Sequence, residues 1–113
     1  EGFKIFRGKI KKFKSNKFKK IPHVGWRNTK IIKKSLLTKN FNNNDSFYFV
    51  HSFYAEINRY NNQYITSTAE YYGEKFISSI KKNNIYGFQF HPEKSGNSGM
   101  KFYRNLFKLI KNV

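Results

Sequence analysis

A chain of 113 residues has room for one domain, burying about two thirds of the surface that its unfolded form exposes. It is 19% aromatic, which excludes a disordered tail, and it has no Cys, which excludes disulfides, a thiolate zinc site and a cysteine nucleophile within these residues. The net charge of +17 is carried by lysine, since of 23 Lys and Arg only Arg7, Arg27, Arg59 and Arg104 are arginine, and such a field suits a solvated surface better than base-edge or bidentate phosphate recognition.

In chain order, the sequence predicts two short strands over 3–6 and 9–13, bent at Arg7-Gly8, with Phe3, Ile5 and Ile10 as inward candidates. Residues 9–20 alternate lysines with Ile10, Phe13 and Phe18 and read as an exposed hairpin whose lysines discourage edge pairing. The competing reading is a platform for single-stranded nucleic acid, but no compact aromatic and arginine surface accompanies it, and nucleic acid is not expected as a partner. At Pro22-His23-Val24-Gly25-Trp26 the proline disfavours helix at Ile21. The lone Trp is either a core or lid aromatic or an exposed anchor, and His23 reads as a hydrogen-bonded structural residue.

The mixed segment 29–39 carries a weak helical signal, and 40–45 is a polar loop. Residues 46–54, Ser-Phe-Tyr-Phe-Val-His-Ser-Phe-Tyr, are β-branched and aromatic almost throughout and predict a central strand covered on both faces. His51 would share a face there with Phe47, Phe49 and Phe53, and a polar group so placed needs a hydrogen-bond partner. Strands are expected over 63–70 and 75–80, joined through Tyr71-Tyr72-Gly73, with a turn at 81–84 leading into a strand from Ile85, all consecutive and antiparallel. A closing helix from near Ser98 would pack the stripe Met100, Tyr103, Leu106, Phe107 and Ile110 on the sheet, leaving Lys101, Arg104, Lys108 and Lys111 outside. No run is apolar and long enough to span a bilayer and the first residues form no hydrophobic signal segment, so a cytoplasmic protein without membrane contact is expected.

The candidate chemistry lies at His91-Pro92-Glu93. Two residues apart in extended backbone means one face, and a carboxylate beside an imidazole fixes its tautomer and stabilises its charged form, as a general base requires. On the residues alone, a strand-capping His91 with Glu93 in water is the commoner arrangement, since titratable pairs at strand ends are frequent outside active sites. His23, His51 and His91 are too scattered to suggest a metal site, no G-x-S-x-G elbow is present, and Gly96 and Gly99 give only a weak hint of an anion-binding helix start. What remains is a base and its orienter without a nucleophile.

Pro22-His23-Val24-Gly25-Trp26, Tyr48-Phe49-Val50-His51-Ser52 and Gly87-Phe88-Gln89-Phe90-His91-Pro92-Glu93-Lys94-Ser95 resemble, in order and spacing, class I glutamine amidotransferases, and most of all the glutaminase subunit of imidazole glycerol phosphate synthase. The resemblance covers essentially the whole chain but only the C-terminal half or so of that family's chain. It implies an α/β fold: the C-terminal part of a flavodoxin-like amidotransferase domain, with several antiparallel strands and a closing helix. It implies an enzyme in which a cysteine thiolate attacks the amide of glutamine, His91 transfers protons and Glu93 orients it, with no cofactor. The cysteine and the oxyanion loop belong to the N-terminal part of the family's domain, which is absent from residues 1–113, so this chain alone is expected to be inactive.

The backbone at Ser52 and Phe53 would hold glutamine, Phe53 standing where Tyr is frequent. Trp26, Tyr48 and Lys94 would meet a (β/α)₈-barrel synthase subunit that uses the ammonia in histidine biosynthesis. Arg27 departs from the asparagine usual after Gly-Trp in that contact. A related amidotransferase serving surface-sugar modification is the alternative that the resemblance leaves open.

Overall fold

The computed structural model describes residues 10–14, 21–83 and 85–111. Its longest ladder is a hairpin of β6 (Ile65–Tyr71) and β7 (Glu74–Lys82). Both turn residues have positive φ, Tyr72 at 47° and Gly73 at 84°, the geometry whose twist matches the flanking strands. β8 (Ile85–Phe88) pairs antiparallel with β7, and the two-residue strand β3 (Lys30–Ile31) pairs antiparallel with β6, giving the order β3-β6-β7-β8. Consecutive antiparallel strands are therefore what the sequence predicts and what the chain forms from β6 to β8.

Two smaller ladders complete the described strands. β2 (His23–Asn28) pairs with β4 (Ser46–His51), placing His23 opposite His51 and Trp26 opposite Tyr48. β1 (Ile10–Lys12) pairs with β5 (Phe53–Ala55). The expected hairpin over 9–20 is thus corrected where it can be followed, since 10–12 pair with a strand far along the chain. Residues 15–20 and the predicted strand 3–6 lie outside the described residues. Phe13, just past β1, is 3% exposed and packs its ring against Tyr54, Tyr71, Phe76 and His51.

The predicted unbroken strand over 46–54 is also corrected. It bends at Ser52 into β4 and β5, and Phe53 turns outward to 54% exposure instead of sharing the buried face of Phe47, Phe49 and His51. Nor is β4 covered on both faces, because Val24, Trp26 and Val50 leave the outer side of the β2–β4 pair exposed. Segment 29–39 forms no helix; after β3 it runs through bends and turns that bury Leu37.

The helix α1 runs Gly96–Lys111, and the face it buries differs from the predicted stripe. Ser98, Phe102 and Asn105 are buried and Leu106 and Leu109 pack at the margin, whereas Met100, Tyr103, Phe107 and Ile110 are exposed. Asn105 is tolerated inside because its side-chain amide donates to the carbonyls of Leu37 (3.0 Å) and Lys39 (2.7 Å). Lys101 donates to Asp45 at 3.0 Å, tying the helix to the loop before β4. The core joining these pieces is aromatic: Phe47, Phe49, Phe76, Phe90 and Phe102 fill the space between α1 and the strands, in edge and tilted ring contacts.

Candidate active site

After β8 the chain crosses from one ladder to another. The Gln89 N–H still donates to Ser78 on β7 (2.9 Å), but the His91 N–H donates to the Tyr48 carbonyl on β4 (2.9 Å). Proline at the first position of a tight turn then closes a single 3₁₀ turn, Pro92–Lys94, in which the Lys94 N–H returns to the His91 carbonyl at 3.1 Å. The turn is pinned by Ser95, which is fully buried. Its hydroxyl donates to the His91 carbonyl (2.6 Å) and accepts from the Tyr48 N–H (3.0 Å), so one side chain fixes the turn to β4. Gly99 lets α1 start directly beneath, since a Cβ there would stand 2.0 Å from the Pro92 carbonyl oxygen.

This framework brings His91 and Glu93 together, although by the 3₁₀ turn and not by extended backbone. His91 Nδ1–H donates to Glu93 Oε2 at 3.0 Å, with side-chain exposures of 40% and 54%. The Glu93 carboxyl is held below its ordinary range, first by its own backbone N–H and then by His91. With Nδ1–H committed to the carboxylate, the neutral ring carries its lone pair on Nε2. A carboxylate-oriented imidazole at an accessible turn can accept a proton at Nε2 and return it.

Ser52 and Phe53 occupy the bend between β4 and β5. The Ser52 carbonyl accepts from the Phe13 N–H at 3.0 Å and the Phe53 carbonyl accepts from His51 Nδ1 at 2.9 Å. Trp26 and Tyr48 stand opposite each other with rings in edge contact, centroids 5.8 Å apart. A Cβ at Gly96 would lie 3.6 Å from the Trp26 ring, so this half-exposed aromatic face abuts the turn that carries Lys94. Tyr48 also shares its backbone with His91 and Ser95, which joins the Trp26, Tyr48 and Lys94 group to the His91 turn.

The structure adds residues that the sequence reading assigned no part in the site. Ser95 and Gly99 shape the turn, and a signal for them was present in the small residues that follow Pro-Glu-Lys. His23 and His51 form a pair, Nδ1 to Nε2 at 3.2 Å, behind the Ser52 bend. Both are buried, and nothing in the sequence spacing points to their contact. Among the described residues, no group of three or more His, Cys, Asp or Glu could hold a metal ion, and no helix is long and apolar enough to cross a membrane.

Fold and site together meet a family pattern: the chain belongs to the class-I glutamine amidotransferases, whose model matches residues 3–110. It is similar to imidazole glycerol phosphate synthase subunit HisH of several organisms. Identity is 48% over 109 residues with the protein of Methanococcus maripaludis, covering 96% of this chain and 52% of that one. It is 40% over 109 residues with that of Campylobacter jejuni, again 96% and 52%, and 44% over 89 residues with that of Buchnera aphidicola, 79% and 43%. The chain spans about half the length of these relatives.

Proposed function

We propose that this chain is the C-terminal part of a single amidotransferase domain and carries the proton-transfer side of a glutaminase. Its product, ammonia, would pass to a (β/α)₈-barrel synthase subunit that makes imidazole glycerol phosphate in histidine biosynthesis. The observation that carries the reading is the Nδ1–H bond from His91 to Glu93 at 3.0 Å on an accessible turn, in a chain of this family.

In this reading Nε2 of His91 takes the proton of a cysteine thiol supplied by the N-terminal part of the domain, and the thiolate attacks the side-chain carbonyl carbon of glutamine. As the tetrahedral intermediate collapses, the carbon–nitrogen bond breaks and His91 gives its proton to the departing nitrogen, which leaves as ammonia. His91 Nε2 then deprotonates the water that splits the thioester, and it returns that proton to the departing thiolate, yielding glutamate and restoring the thiol. Glu93 keeps the ring in the tautomer that presents Nε2 and stabilises the imidazolium formed twice per cycle. Ser52 and Phe53 hold the substrate through their backbone, while Trp26, Tyr48 and Lys94 form the face toward the synthase, an apolar patch with one cation at its edge.

Ammonia release from L-glutamine tests this directly. The purified 113-residue chain is expected to release none, and its assembly with the cysteine-bearing part and the barrel subunit is expected to turn over glutamine. Release by the chain alone would overturn the assignment of the nucleophile outside it, and an inactive assembly would overturn the glutaminase reading.

A further inference from the structure

The buried histidines form a directed chain of hydrogen bonds that ends on the site. Its direction is set at the far end, because the Phe53 carbonyl can only accept, so His51 Nδ1 must be the donor across 2.9 Å. A neutral His51 then has only a lone pair on Nε2, and His23 Nδ1 must donate into it across 3.2 Å. The last atom, His23 Nε2, is left as a lone pair, buried and without a hydrogen-bond partner among the described residues. Each ring is held in place by packing: His23 is completely buried and stacks on Tyr71 (4.0 Å, 19°), while His51 takes edge contacts from Phe13 (5.0 Å) and Phe76 (4.9 Å). Burial depresses both imidazoles, His23 to about 4, so each is neutral at neutral pH as the chain of bonds requires.

We infer that His51, backed by His23, is a positioning residue for glutamine: its Nδ1–H fixes the Phe53 carbonyl and with it the backbone of the Ser52–Phe53 bend. This rests on the glutaminase reading above. The geometry argues for positioning over simple core filling. A core-filling aromatic would need no donor aimed at the first carbonyl after a strand break. The bond also spans the bend itself, from the last residue of β4 to the first of β5, where the backbone leaves the β2–β4 ladder for the β1–β5 ladder.

Two substitutions separate the roles, because asparagine places a donor where Nδ1 stood and glutamine places its amide where Nε2 stood. In the intact amidotransferase, with its cysteine-bearing part and synthase subunit, His51→Asn keeps the bond to Phe53, and His51→Gln keeps the contact with His23 but loses that bond. His51→Gln is expected to raise KM for L-glutamine about tenfold, the scale of one neutral hydrogen bond, with kcat within about twofold of wild type, and His51→Asn, which keeps the bond to Phe53 but loses the link to His23, is expected to raise KM by no more than about threefold with kcat likewise within about twofold. Equal KM values for wild type and His51→Gln would overturn the positioning role, as would a rise shared equally by both variants. A wild-type assembly that does not turn over glutamine would remove the glutaminase reading, and this inference with it. If neither His51 variant folds, His23→Phe, which keeps the stack on Tyr71 and drops only the donor to His51, is expected to raise KM about threefold through the weakened second link. An unchanged KM there would overturn the relay.

Discussion

His91 and His23 both donate from Nδ1, one to a carboxylate at 3.0 Å and the other to a second imidazole at 3.2 Å, yet their surroundings set them to different tasks. His91 stands 40% exposed on a 3₁₀ turn, with a carboxylate accepting its Nδ1–H. His23 is fully buried among aromatic rings, its ring is hydrogen-bonded to another base, and the Arg27 charge acts on it as well, so burial, His51 and Arg27 all oppose its protonation. An imidazole that must gain and lose a proton needs a stabilised cation and an open path to substrate; one that must hold a carbonyl in place needs a single fixed tautomer. The difference lies in the partner and the solvent, and in the proposed reading it divides labour across a few residues of β4, since Tyr48 anchors the exposed pair and His51 belongs to the buried one.

The largest expected effect of breaking the contrast comes from the exposed side. In the intact assembly, His91→Ala is expected to lower glutamine turnover by about 10³-fold or more with little change in melting temperature, because the ring is accessible and fills no core. Near-normal turnover would show that another group transfers the proton. Glu93→Gln leaves the ring without its anionic partner and is expected to cost about 10- to 100-fold in kcat, a loss that would be absent if Glu93 only pointed into water. Gly99→Ala forces a Cβ onto the Pro92 carbonyl and must displace the turn, so a fall of about tenfold in kcat is expected from misplacement alone, despite the better helix propensity of alanine.

From the buried side the expected effect falls on stability. His23 has its ordinary value of 6.5 when unfolded and about 4 when folded, so the unfolded chain binds the extra proton in between. Stability is complete above pH 6.5 and declines as pH falls toward 4, by up to about 3 kcal/mol. His51, lowered by burial, adds to the same slope, and Glu93, held low by its own N–H and by His91, loses its smaller share only in stronger acid. Urea midpoints at pH 7.5 and 4.5 check this: His23→Phe should flatten the profile, and an unchanged slope would mean that His23 is not buried neutral.

How much of this was legible beforehand follows from how local each signal is. The hairpin of β6 and β7 could be read because Tyr72-Gly73 and the flanking β-branched residues act within a few positions. His91 and Glu93 could be read as a pair because they are two apart in sequence, although the turn that joins them depends on Ser95 and Gly99. Helix α1 was legible as a helix, but not its buried face. Its apolar residues suit two faces equally, and the choice was made by Asn105, whose partners on Leu37 and Lys39 lie far away in the chain. The same holds for the break at Ser52 and for His23 opposite His51: both depend on strand register, with β1 against β5 and β2 against β4, and no pattern within either segment specifies that pairing.

The most direct test of the divided roles is to measure kcat and KM for L-glutamine side by side in His91→Ala and His51→Gln within the intact assembly. The expected result is that the first loses kcat and keeps KM, whereas the second keeps kcat and loses KM. Both variants moving the same parameter, or His91→Ala retaining its kcat, would contradict the account.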